Sequence, residues 1–126
     1  MPAQLLIRTL HWPAEREAWL DHVEACFSPK GTTRAYFAAH LDHSADCAAG
    51  GPGPIILVAV DGAAIASTLR VFRLTLRFGG AEHRCGGIGE VCTAAAYRRR
   101  GLAGRLLEQA RLPTTDALKT RDGCSQ

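Results

Sequence analysis

Tyr97-Arg98-Arg99-Arg100-Gly101-Leu102-Ala103-Gly104-Arg105-Leu106-Leu107 places arginines and small residues where an extended run gives way to a helical one. The preceding Gly86-Gly87-Ile88-Gly89-Glu90-Val91-Cys92-Thr93 is short and β-prone, while Leu102, Ala103, Leu106, Leu107 and Ala110 recur with the spacing of one helix face. A strand-to-helix turn aims amides at one point. The first helical turn has no internal partners for its N–H groups, and its dipole favours an anion by about 0.3–1 kcal/mol. Gly101 and Gly104 let an anion approach the backbone, and Arg98, Arg99, Arg100 and Arg105 add positive charge. Three arginines alone read as a solvated turn, and Gly101 alone as a helix-start glycine. The strand, glycine and helix context makes the segment a phosphate cradle.

Working outward, Gln4 to Leu10 is an apolar entering strand, and Ala14, Ala18, Trp19, Val23 and Cys26 share one face of a helix ending near Phe27. Ser28-Pro29-Lys30-Gly31 stops that helix, and Thr32 or Thr33 caps a second one through Tyr36, Phe37, His40 and Leu41. Gly50-Gly51-Pro52-Gly53-Pro54 then resets the chain direction. Ile55 to Val60 is a strand closed by Asp61-Gly62, a two-residue hairpin signal. Phe72, Leu74, Leu76 and Phe78 alternate with Arg73, Thr75 and Arg77, which predicts one buried and one open strand face. Gly79-Gly80 turns the chain back toward the strand ending at Thr93, and Pro113 is expected to end the final helix.

A chain of 126 residues implies one domain with a single core. The net charge of +3 suits an anionic ligand but falls short of the footprint of a nucleic-acid binder, so no nucleic-acid partner is expected. No run approaches the roughly 18 apolar residues of a membrane span, and no basic segment leads into an apolar signal core. A soluble cytoplasmic protein with no membrane partner is the expectation. Five cysteines (Cys26, Cys47, Cys85, Cys92, Cys124) at irregular spacings suggest reduced thiols. His40-x-x-His43-x-x-x-Cys47 has metal-like spacing but no second ligand pair; loop polarity explains it more simply, and no metal is expected.

The opening segment resembles the acyl-CoA-binding motif of the GNAT acetyltransferase superfamily, which reads Arg/Gln-x-x-Gly-x-Gly/Ala after a strand. Arg98, Gly101 and Ala103 match it, and Thr93-Ala94-Ala95-Ala96-Tyr97 extends the match with Ala95 where relatives carry Pro. The close match covers 86–111 and looks most like the Eis-type branch. The resemblance implies an α/β (α+β) fold, a GNAT-like mixed, mainly antiparallel sheet flanked by helices. Residues 1–112 would be a partial domain, truncated before its C-terminal strand and helix, and 113–126 an irregular tail. The exposed sheet edge would then favour self-association.

The implied activity is direct transfer of an acetyl group from acetyl-CoA to an amine acceptor; the alternative is a catalytically impaired acetyl-CoA-binding or interaction module. Amides of Arg99, Arg100, Gly101, Leu102, Ala103 and Gly104 would hold the pyrophosphate, with Arg98 and Arg105 adding charge. Backbone groups of Val91, Cys92 and Thr93 would pair with the pantetheine arm, and one N–H would polarise the thioester carbonyl. Glu90 is the candidate general base or amine anchor, against an ordinary strand-edge carboxylate; His83 and His22 are weaker bases. Cys92 reads as a buried, inert thiol more readily than as a nucleophile. The acceptor stays open among aminoglycosides, polyamines, amino acids, peptide amino termini and lysine side chains.

Overall fold

In the computed structural model, which describes residues 5–120, four strands form one antiparallel sheet in sequence order: β1 (Leu5–Thr9), β2 (Ile55–Asp61), β3 (Ala64–Phe78) and β4 (Ala81–Thr93). Helices α1 (Arg16–Phe27) and α2 (Arg34–Asp42) connect β1 to β2, and α3 (Leu102–Thr120) follows β4. The mixed architecture agrees with the fold class read from the sequence.

The run Ile55-Ile56-Leu57-Val58-Ala59-Val60 is apolar throughout because β2 is buried on both faces. Ile56, Val58 and Val60 pack with Trp19, Leu20 and Val23 of α1 and with Phe37 and Leu41 of α2. Leu57 and Ala59 meet Leu102, Leu106 and Ala110 of α3 across the other face, with Leu69 and Val71 of β3. Each fully buried side chain of this size contributes roughly 1.5–3 kcal/mol, so the sheet is held from both sides. A buried chain of hydrogen bonds joins α1 to the sheet: Trp19 Nε1 donates to Thr68 Oγ1 at 3.0 Å, and that hydroxyl donates to the Leu57 carbonyl at 2.7 Å.

Thr33 is the cap of α2, its hydroxyl accepting from the Tyr36 amide at 3.3 Å. Gly31, with φ of 85°, closes the short turn after α1.

Two expectations need correction. The alternating residues of β3 are not buried on one face, because β2 accompanies β3 only as far as Val71. Beyond it β3 and β4 run on as a two-stranded ribbon around Gly79-Gly80, and Leu74, Leu76 and Phe78 are 44%, 50% and 63% exposed. Helix α3 does not stop at Pro113 but continues to Thr120, so 113–120 is helical rather than irregular. Proline removes one N–H and crowds the preceding turn, which kinks a helix without obliging it to end. The remainder of the expected tail, 121–126, lies outside the described residues.

Candidate active site

The turn between β4 and α3 takes its shape from two left-handed residues, Arg99 with φ of 66° and Gly101 with φ of 71°. The first bond into the helix runs from the Arg105 amide to the Gly101 carbonyl at 3.1 Å. Among the described residues the six amides before it, Arg99 to Gly104, have no backbone carbonyl partner. A Cβ at Gly101 or Gly104 would meet nothing within 4 Å, so the backbone here faces open space that a ligand could fill. The arrangement fits a diphosphate: unpaired donors, a helix N-terminus, and glycines where the approach is closest.

The arginines divide. Arg98 Nε donates to the Thr93 carbonyl at 3.3 Å, and the Arg100 guanidinium lies 5.2 Å from the Tyr97 ring centroid. Arg99 and Arg105 are exposed. Tyr97 packs beneath the turn, its hydroxyl donating at 2.6 Å to Asp61 of the β2–β3 hairpin, a bond that pushes the phenol pKa up. Leu102 is buried under α3, and Ala103 is half-buried beside it.

One strand earlier, β4 carries an extra residue. Thr68 pairs with Cys92 and Arg70 with Gly89, so Leu69 alone stands opposite Glu90 and Val91. This is a β-bulge, and Glu90 sits in it with φ of 53°. A non-glycine residue in that region costs about 1–2 kcal/mol, a strain often kept at functional sites. After the bulge, Ser67 Oγ donates to the Cys92 carbonyl at 3.1 Å and the Ala94 amide donates to the Ala66 carbonyl at 2.8 Å. Residues 92 and 94 therefore bond toward β3, and strand alternation turns the peptide groups of Val91 and Thr93 to the outer edge. That edge has no strand neighbour among the described residues.

The bulge aims Glu90 into a cleft of about 660 Å³ between β4 and the α1–α2 region. Phe27, Tyr36, Phe37, His40 and Phe72 supply aromatic walls, and Glu90 is the only carboxylate in the lining. His40 Nδ1 donates to Glu90 Oε1 at 3.0 Å, while Oε2 is buried without a partner. Gly89 makes the wall possible, since a Cβ there would come 2.8 Å from Phe72 Cε2. Arg70 is buried against Phe72, its guanidinium 4.6 Å from the ring centroid, with Nη2 donating to Ser44 Oγ at 2.9 Å.

The weaker base candidates stand elsewhere. His83 stacks on Phe78 at 4.4 Å along the ribbon, and His22 is buried in α1, where burial pushes its pKa down. Burial pushes the Cys92 thiol up, with nearby Cys26 adding to the effect, which makes it a poor nucleophile at neutral pH. Among the described residues, the metal-like spacing of His40, His43 and Cys47 is not matched by converging ligand atoms. Instead, among the described residues, His22, Cys26 and Cys92 are the group with converging ligand atoms. Sequence reasoning missed His40 as a partner of Glu90 because the two are fifty positions apart.

A family model described as an acetyltransferase (GNAT) domain matches residues 7–111. Among solved structures, the chain is similar to a GNAT family acetyltransferase from Brucella melitensis in complex with acetyl-CoA. That pair is 21% identical with a TM-score of 0.64, covering 92% of this chain and 71% of the other. An aminoglycoside acetyltransferase from an uncultured soil metagenomic sample is 20% identical with a TM-score of 0.62, covering 91% and 74%. Glucosamine-6-phosphate N-acetyltransferase from Arabidopsis thaliana is 17% identical with a TM-score of 0.58, covering 96% and 78%. These likenesses are of fold. No curated protein sequence matches the chain.

Proposed function

The chain belongs to the GNAT acetyltransferase family, and on that premise we propose that it transfers an acetyl group from acetyl-CoA to a primary amine carrying one positive charge and an apolar body. The cradle of unpaired amides from Arg99 to Gly104 carries the first half of the reading. The Glu90 cleft carries the second.

Acetyl-CoA supplies an acyl thioester. Its pyrophosphate would lie on the cradle, with Arg98, Arg99, Arg100 and Arg105 around it and Leu102 and Ala103 contributing amides. The pantetheine arm would run as an added strand along the outer edge of β4, using the peptide groups of Val91 and Thr93. Cys92 bonds toward β3, so its backbone contributes less than the sequence reading assigned to it. The ammonium proton must leave beforehand; attack by the free amine then forms a C–N bond and breaks the C–S bond, CoA leaving as a thiolate that takes up the proton shed by the new amide nitrogen. We assign Glu90 to take the ammonium proton, directly or through one water, with His40 holding Oε1 and Oε2 free of a hydrogen-bond partner among the described residues.

The cleft's chemistry narrows the acceptor. Aromatic walls favour apolar groups, each ring contact adding about 0.5–1.5 kcal/mol, whereas one carboxylate neutralises one charge. A polycation would leave its other ammonium groups unpaired against phenylalanine.

Two measurements test the proposal. Calorimetric titration with acetyl-CoA should give saturable binding in the range of about 1 μM–1 mM. Release of free CoA should be faster with phenylethylamine or tryptamine than with kanamycin or spermidine. No binding would refute the cradle, and preference for polycations would refute the acceptor reading. Tight binding without turnover of any amine would identify a binding module instead.

A further inference from the structure

His22, Cys26 and Cys92 form a second constellation that acyl transfer does not use. His22 and Cys26 are four residues apart on α1 and therefore share a face, and β4 brings Cys92 against them just past the bulge. One ring nitrogen of His22 and the two sulfurs lie within 4.8 Å of one another, with Cys26 Sγ 3.7 Å from His22 Nε2. Metal bonds of about 2.0–2.1 Å to nitrogen and 2.3 Å to sulfur at tetrahedral angles separate ligand atoms by about 3.5–3.8 Å. The cluster is close to that spacing without any ion to pull it together. The backbone of Cys92 and Ile65 lies beside the imidazole, so α1 and the sheet both border the cluster.

We propose that His22, Cys26 and Cys92 bind a thiophilic divalent cation of the zinc type, with water in the fourth position, tying α1 to β4 beside the Glu90 bulge. The donor set of two sulfurs and one imidazole selects zinc-like ions over magnesium or calcium, which take oxygen. Each thiol gives up its proton on ligation, so one cation replaces two protons and the site adds no net charge to a partly buried environment. The consequence is mechanical. The clip holds the strand segment that carries Glu90 and the outward peptide groups of Val91 and Thr93.

The test is titration of the reduced, metal-free full chain with Co²⁺, followed by competition with Zn²⁺. The expected result is one equivalent of Co²⁺ giving visible tetrahedral bands and sulfur-to-cobalt charge transfer, abolished by Zn²⁺. A hundredfold excess of Zn²⁺ over its Kd should raise the thermal midpoint by about 5–10 °C. Cys26→Ser and Cys92→Ser should each lose the charge-transfer spectrum, while Cys47→Ser, Cys85→Ser and Cys124→Ser keep it. Should Cys92→Ser not fold, His22→Gln provides the second variant, with Co²⁺ affinity reduced about tenfold or more in a folded protein. No spectrum with folded wild type, or a spectrum that survives both Cys26→Ser and Cys92→Ser, overturns the proposal.

Discussion

His40 on α2 holds Glu90 on the β4 bulge, Nδ1 to Oε1 at 3.0 Å, and so joins the helical wall of the cleft to the strand that lines its floor. The other carboxylate oxygen, Oε2, is buried without a hydrogen-bond partner among the described residues. Glu90→Gln is expected to lower kcat/KM for the amine by about 10²–10⁴-fold while changing acetyl-CoA affinity by less than about twofold. His40→Ala should raise the amine KM more than it lowers kcat, because His40 positions the carboxylate. Steady-state kinetics with calorimetry of acetyl-CoA checks both, and a loss of acetyl-CoA binding in Glu90→Gln would contradict the assignment.

Gly104 offers a substitution in which stability and binding should move in opposite directions. It lies in the first turn of α3 with open space at its Cβ position. Gly104→Ala should stabilise the helix by roughly 0.5–1 kcal/mol and weaken acetyl-CoA binding about tenfold, the latter because the methyl would stand in the proposed diphosphate site. Gly101→Ala should instead destabilise by about 1–2 kcal/mol, since Gly101 has φ of 71°. Thermal unfolding and calorimetry on both variants separate the effects.

Gly89→Ala reaches the Glu90 cleft from behind. Its Cβ would come 2.8 Å from Phe72 Cε2, so the ring must swing away. The expected cost is about 1–3 kcal/mol of stability, with a severalfold rise in amine KM and unchanged acetyl-CoA affinity. An unchanged amine KM would show that Phe72 is not a wall of the acceptor site.

Arg8 of β1 grips Glu15, just before α1, with two hydrogen bonds of 2.8 Å. Hydrogen bonding from Arg8 holds the Glu15 carboxyl at about 2, well below its ordinary value of 4.5. A depressed carboxylate contributes stability above its unfolded pKa, and that contribution is lost as pH falls through about 4.5 toward 2. The pair is partly exposed, so the loss should be about 1 kcal/mol. Urea unfolding at pH 7 and pH 3 measures it, and Glu15→Gln should shrink the difference between the two.

Element order was legible because each signal is local. Gly62, with φ of 61°, and Gly79-Gly80 mark their own turns, though the first turn is Gly62-Ala63, one residue later than Asp61-Gly62; Thr33 caps its own helix, and the apolar run of β2 records burial on both faces. Alternation in β3 was legible as a strand but misleading as burial. It shows which residues share a face, not whether anything covers that face, and beyond Val71 the neighbouring strand has ended. The helix through Pro113 was misread for a similar reason, since one missing donor does not say whether the following turns hold.

The sequence by itself determined the turn that we read as the cradle. Tyr97 to Gly104 acquires its unpaired amides from chain geometry within a few residues, so glycine placement and helix onset suffice to specify it. Tertiary structure alone decided what surrounds it. Glu90 meets His40 only because a one-residue bulge rotates its side chain into the cleft under α2, and Cys92 meets His22 and Cys26 only because α1 packs over β4 at that register. Strand register and helix docking are set by the summed packing of two cores, and no local motif records that sum.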